Sequence, residues 1–138
     1  MRRGGKKVVF TNGVFDILHR GHVEFLSKAK ALGDYLIVGV NTDKSVKQFK
    51  GPHRPIQNQN YRATIISLLK PVDVVILFDE TTPENLIRFI KPDILVKGTD
   101  YKITQIAGAD FVNSYGGQVI RIKLTSARST SNILKRLG

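Results

Sequence analysis

Short apolar runs, each too brief for a helix and each followed by a stretch of helical period, restrict the fold of this chain more than any other feature. Residues 35–40, Tyr-Leu-Ile-Val-Gly-Val, are the clearest case. Similar runs fall at 8–11, 72–78, 92–97 and 118–122. The run at 35–40 is continuous rather than alternating, which marks a strand covered on both faces. Between the first two, Val23, Leu26, Ala29 and Leu32 recur at helical spacing until Gly33, with Lys28 and Lys30 placed toward water. Ile65, Ile66 and Leu69 repeat the period within 58–69, which Pro71 closes. Thr82 as N-cap and Pro83 as first residue open a helix over 83–90, and a further helix is expected over 109–115. Ser129 or Thr130 caps a last one over 129–137.

Strand, helix and strand within about 30 residues form one parallel crossover unit, and the pattern continues to the end of the chain. The expected fold is therefore α/β: a Rossmann-like three-layer sandwich with a five-stranded parallel sheet, residues 1–138 making a single domain. In such sheets ligands bind beyond the carboxyl ends of the strands, near a switch in strand order. The polar segments 12–22, 41–54, 97–101 and 126–130 are expected to meet on that edge. Segment 41–55 carries Lys44, Lys47, Lys50, His53 and Arg54 between Gly51, Pro52 and Pro55, and reads as a loop or a loose turn of helix over the site.

The densest chemistry lies in Phe-Thr-Asn-Gly-Val-Phe-Asp-Ile-Leu-His-Arg-Gly-His at 10–22. His19 and His22 sit three apart at a helix start, where outward N–H groups favour anions, and Gly21 admits a phosphate close to the backbone. Ligation of zinc by these histidines with Asp16, and plain structural histidines, are the competing readings; the spacing matches no standard zinc-hydrolase pattern. Asp16 either orients a histidine or lysine, joins a magnesium shell shared with phosphates, or serves as a turn residue.

Cysteine is absent, which excludes disulfides and thiolate metal sites, and no Gly-x-Ser-x-Gly elbow is present. No apolar run approaches the roughly 20 residues of a membrane helix, and the amino terminus does not read as a signal peptide, so the cytoplasm is expected. The net charge of +11, from 22 Lys+Arg against 11 Asp+Glu, draws polyanions: nucleotide, sugar phosphate or nucleic acid. A nucleic-acid-binding module is the rival of another class, but no reader motif or stacking platform accompanies the charge.

The string NGVFDILHRGH resembles the signature of the HxGH nucleotidyltransferase superfamily. VNTDKSVKQFKG, RPI, PDILVKGTDY, IAGADFVNSYGGQV and STSNI are similar to its heptose 1-phosphate adenylyltransferase branch, found in bifunctional ADP-heptose synthases, over about residues 8–137. The resemblance implies that His19, His22 and Lys47 act on the ATP phosphates. It implies that Asn12, Gly13 and Phe15 line the nucleotide side of the first turn, and that Ser129, Thr130 and Ser131 cover the β and γ phosphates. The chain reads Ala127-Arg128-Ser129-Thr130-Ser131 where that family has Gly-x-Ser-Thr-Thr.

Lys97, Gly98, Asp100 and Tyr101 are expected near the adenine or the sugar: Gly98 for close approach, Asp100 for hydroxyls, Tyr101 for stacking. Lys50 and Arg54 would join Lys47 in a mobile positive flap, with Arg62 reaching back into the site or serving a surface or structural duty. The implied reaction moves AMP from ATP, with Mg2+, to a sugar 1-phosphate. The implied partners are these small molecules, a second copy in a homodimer and a separate sugar kinase. A cytidylyltransferase acting on glycerol 3-phosphate or a similar acceptor is the alternative within the same chemistry.

Overall fold

Five strands carry the expected apolar runs in the computed structural model, which describes residues 4–124. They are β1 (Val8–Gly13), β2 (Tyr35–Asn41), β3 (Val74–Phe78), β4 (Ile94–Gly98) and β5 (Gln118–Ile122). The helices are α1 (Arg20–Lys30), α2 (Asp43–Lys50), α3 (Gln59–Ser67), α4 (Glu84–Ile90) and α5 (Ala109–Ser114), with a short 3-10 turn at Ile103–Gln105. All pairings are parallel, in the order β3-β2-β1-β4-β5. The expected α/β three-layer sandwich is thus observed.

Both faces of the central strands β1, β2 and β4 are covered, and the edge strands β3 and β5 are more exposed. On one face Leu26 and Ala29 of α1 and Ile66 of α3 pack against Val9, Leu36, Val38, Val40 and Val96. On the other, Ile87 of α4 and Ala109 and Val112 of α5 enclose Phe10 and Leu95. Each valine, leucine, isoleucine or phenylalanine side chain so removed from water contributes about 1.5–3 kcal/mol before entropy is counted. The amino ends of the strands are tied by carboxylates: Asp93 accepts from the Val8 N–H at 2.8 Å, and Asp73 from the Leu36 N–H at 2.8 Å.

Several expected boundaries move. β3 begins at Val74 rather than at residue 72, because Val72 turns into the core and Asp73 spends its carboxylate on β2 and on Lys30. α1 begins three residues earlier than its apolar period suggests, at Arg20. Pro83, not Thr82, is the N-cap of α4 and supplies no side-chain hydrogen bond. Segment 41–55 holds a true helix, α2, capped by Thr42, whose Oγ1 accepts from the Ser45 N–H at 3.2 Å. The helix expected over 129–137 lies outside the described residues. No helix among the described residues is long and apolar enough to cross a membrane.

Candidate active site

The strand order reverses between β1 and β4: β1 connects outward through α1 to β2, and β4 through α5 to β5 on the opposite side. The crevice beyond their carboxyl ends is the switch point where such sheets receive ligands. Thr11 closes its floor by donating from Oγ1 to the Val96 carbonyl at 2.7 Å. Lys97, at the end of β4, reaches across and donates from Nζ to the Asn12 carbonyl at 3.0 Å.

His19 and His22 form the start of α1 themselves. His19 is the N-cap, and its Nδ1 accepts from the Gly21 N–H at 3.1 Å. In return the His19 N–H donates to Nδ1 of His22 at 3.2 Å. Two orphan N–H groups of the first turn are thereby satisfied by imidazoles, where hydroxyls and carboxyls usually serve. A ring that accepts at Nδ1 is neutral and carries its proton on Nε2. Each histidine therefore keeps one N–H donor, and the two rings stand 4.0 Å apart between centroids. Burial holds the His19 pKa below the usual imidazole value; burial and then the neighbouring His19 hold His22 down at about 4. At neutral pH this is a pair of uncharged donors at the positive end of a helix.

Phe15 shapes the turn before them. Its backbone is left-handed, φ 51°, and its ring meets His22 edge-on at 5.3 Å. A Cβ on Gly13 would lie 2.9 Å from Cε2 of Phe15, so glycine there makes room for that ring.

Asp16 is buried and serves a partner that the sequence did not suggest. Its carboxylate accepts from the Ile56 N–H at 2.9 Å and the Gln57 N–H at 2.8 Å, with Arg54 Nη1 at 3.5 Å. Among the described residues no hydrogen bond or ion pair joins it to a histidine or lysine, and it clamps residues 54–57 to the first turn. Among the described residues no group of three His, Cys, Asp or Glu could hold a metal ion. The zinc reading of His19, His22 and Asp16 accordingly lacks a ligand set there.

Arg62 takes the structural one of its expected duties rather than a place at the ligand. It is fully buried on α3, with its guanidinium bonded to three carbonyls and to Asp43. Lys47 and Lys50 are exposed on α2, with no ion-pair partner among the described residues, and Arg54 faces Asp16 rather than open solvent.

Around β4, Lys97 is nearly excluded from water. Burial lowers its pKa to about 8, an effect that Asp100 opposes, and its Nζ stands 4.5 Å over the Tyr101 ring. Burial and then Asp100 raise the Tyr101 hydroxyl pKa. A Cβ on Gly98 would fall 2.5 Å from Asp100 Oδ1, so the carboxylate occupies the space that glycine leaves. Ser129, Thr130 and Ser131 lie outside the described residues. Asp43 was not singled out by sequence reasoning; the signal that could have found it is Thr42-Asp43, a cap followed by an acid at a helix start.

Neutral N–H donors at a helix start, beside the switch point of a parallel sheet, are an arrangement suited to phosphate ligands. Comparison with known proteins narrows this: the chain belongs to the cytidylyltransferase-like family, whose model matches residues 10–135. It is 53% identical over 137 residues to the bifunctional protein HldE of Caulobacter sp. (strain K31), covering 99% of this chain and 28% of that one. The HldE of Gluconobacter oxydans is 53% identical over 133 residues, 96% of this chain and again 28% of the relative. The chain thus spans somewhat over a quarter of these relatives' length. Among solved structures, the lipopolysaccharide core biosynthesis protein of Thermoplasma volcanium superposes with a TM-score of 0.70 at 36% identity, over 90% of this chain and all of that one. A pantoate-beta-alanine ligase of Francisella tularensis shares the fold, with a TM-score of 0.64 at 18% identity, over 95% of this chain and 63% of that one.

Proposed function

We propose that this chain is an adenylyltransferase that moves AMP from ATP to a heptose 1-phosphate, releasing pyrophosphate and giving an ADP-sugar. The observation that carries the reading is the pair of imidazoles locked as neutral Nε2–H donors at the first turn of α1. Support for the acceptor comes from the resemblance of LVKGTDY and IAGADFVNSYGGQV to the heptose branch, together with the identity to HldE chains.

The chemistry asks little covalent work of the protein. An acceptor phosphate oxygen bonds to the α phosphorus of ATP in line as the bond to pyrophosphate breaks. A phosphate monoester is already ionised near neutral pH, so no nucleophile has to be deprotonated. Catalysis is then positioning plus stabilisation of charge on the nonbridging and leaving oxygens. His19 and His22 supply donors for those oxygens. Gly21 gives the phosphates room at the backbone. Lys47 closes over the triphosphate from α2, and Ser129, Thr130 and Ser131 cover its outer end.

Asn12, Gly13 and Phe15 line the nucleotide, and Lys97, Gly98, Asp100 and Tyr101 face the sugar or the adenine. Asp16 acts by holding the 54–57 segment. When bound, Mg2+ would supply charge neutralisation, and with no cluster of His, Cys, Asp or Glu to hold it among the described residues the substrate phosphates would be its main ligands. A homodimer in the cytoplasm, with a sugar kinase activity upstream, completes the reading.

The test is pyrophosphate release over a matrix of ATP and CTP against heptose 1-phosphates, other sugar 1-phosphates and glycerol 3-phosphate, with magnesium present. Turnover with ATP and a heptose 1-phosphate is expected. The family model's description favours CTP as the second reading, and turnover only with CTP and glycerol 3-phosphate would replace the first.

A further inference from the structure

We propose that Arg62 is a positioning residue that anchors the cationic helix α2 to the phosphate-facing turn, and that its hold on Asp43 keeps Lys47 free for the nucleotide. The inference rests on the nucleotide reading above.

The side chain of Arg62 has no exposed surface, and four of its five N–H donors have partners. Nε donates to the Gln57 carbonyl at 2.9 Å. Nη1 donates to the carbonyls of Val14 at 2.8 Å and Asn41 at 2.7 Å, and Nη2 to Asp43 Oδ1 at 2.8 Å. One planar group therefore joins the turn after β1, the end of β2, the first residue of α2 and the segment before α3.

Two further contacts fix the same junction. Asp16 takes the N–H groups of Ile56 and Gln57, which sets the Gln57 carbonyl for Arg62. The Asp43 N–H donates to Gln59 Oε1 at 2.9 Å. Burying a guanidinium is costly, and where only packing is needed an apolar side chain serves as well. What an arginine adds is a planar fork that fixes several partners at once.

Competition for one carboxylate ties this junction to the site. Asp43 and Lys47 are four apart on α2, the spacing at which an acid and a following base ordinarily pair. Here Arg62 occupies Asp43, and Lys47 remains exposed without an ion-pair partner among the described residues. Arg62 thus spends its own charge on Asp43, and α2 presents Lys47 unneutralised from a fixed base.

The test is a double-mutant cycle of Asp43→Ser and Lys47→Ala, read as the dissociation constant of α,β-methylene-ATP with magnesium and accompanied by thermal melts. Serine suits a helix start but is too short to reach the guanidinium. Lys47→Ala is expected to weaken binding about tenfold, the worth of a charged hydrogen bond. Asp43→Ser leaves no carboxylate to neutralise Lys47, so a comparable loss there reports release of α2 from its anchor, and the double variant should lie within about threefold of the weaker single one, since both end in the loss of the same Lys47 contact. Asp43→Asn, which keeps the acceptor, should bind within about threefold of the wild type.

Losses that multiply in the double variant, or wild-type affinity in folded Asp43→Ser, would overturn the proposal; a stability role alone would lower the melting temperature and leave the two losses independent. Should Asp43→Ser fail to fold, Gln59→Ala, which releases the Asp43 backbone, takes its place in the same cycle with the same outcomes. A wild-type chain that binds no nucleotide would overturn the functional reading and this inference together, a result distinct from nucleotide binding with independent losses.

Discussion

Acidification should unfasten the first turn of α1. His22 can take a second proton only at Nδ1, the atom that accepts the His19 N–H at 3.2 Å. Protonation therefore breaks half of the reciprocal cap and places a charge in a site that burial and His19 already disfavour. The folded pKa, about 4, lies below the 6.5 of a free imidazole, so between those values the unfolded chain binds more protons. The stabilisation is fully present above 6.5 and is lost as pH falls toward the folded value.

Linkage puts the loss from this one group at roughly 2 kcal/mol on going from about pH 7.5 to about pH 5.0, a ceiling because the ring is partly exposed. His19, whose pKa is lowered by burial, acts in the same direction. The assay is urea unfolding of wild type and His22→Gln at both pH values, with the imidazole resonances of His19, His22 and His53 followed by NMR. Wild type should lose more than the variant, by at most about 2 kcal/mol. A His22 that titrates near 6.5, or equal losses in the two proteins, would refute the reasoning.

Other substitutions test the packing around the site and its charge. Gly13→Ala pushes a methyl to 2.9 Å from the Phe15 ring and should cost about 1–3 kcal/mol in chemical denaturation, with His22 NMR signals displaced through the Phe15 contact. Leu26→Ala, under the sheet with no exposure, should cost about 2–5 kcal/mol in the same measurement. Lys97→Met should weaken nucleotide or sugar-phosphate binding at neutral pH in calorimetry. It should also remove a decline in wild-type affinity as pH rises through about 8, where Lys97 loses its proton.

What the sequence disclosed, and what it withheld, follows from the range of the forces involved. The strand at 35–40 announced itself because burial on both faces demands uninterrupted apolar residues, a requirement met within the segment itself. α2 did not, since it buries only Ser45 and Val46 and is held by bonds to distant chain. Ser45 Oγ donates to the Glu80 carbonyl and Thr42 Oγ1 to Asp79, neither of which leaves a periodic trace.

His19 and His22 were legible because their partners lie within three residues of each other. Asp16 and Arg62 were legible as unusual but not as what they are: the partners of Asp16 are 40 and 41 residues away, and Arg62 reaches Val14 across 48. A charge next to a motif reads as a ligand for substrate until the fold reveals that the protein has already claimed it.

The central claim is that a triphosphate rests on the Nε2–H groups of two neutral imidazoles at the start of α1. Titrating the 15N-histidine-labelled chain with magnesium and α,β-methylene-ATP tests it most directly. The account predicts that both Nε2 resonances of His19 and His22 shift on saturation while their Nδ1 resonances keep the values of unprotonated acceptors. Saturable nucleotide binding that leaves both Nε2 resonances in place, or that protonates both rings, would contradict it.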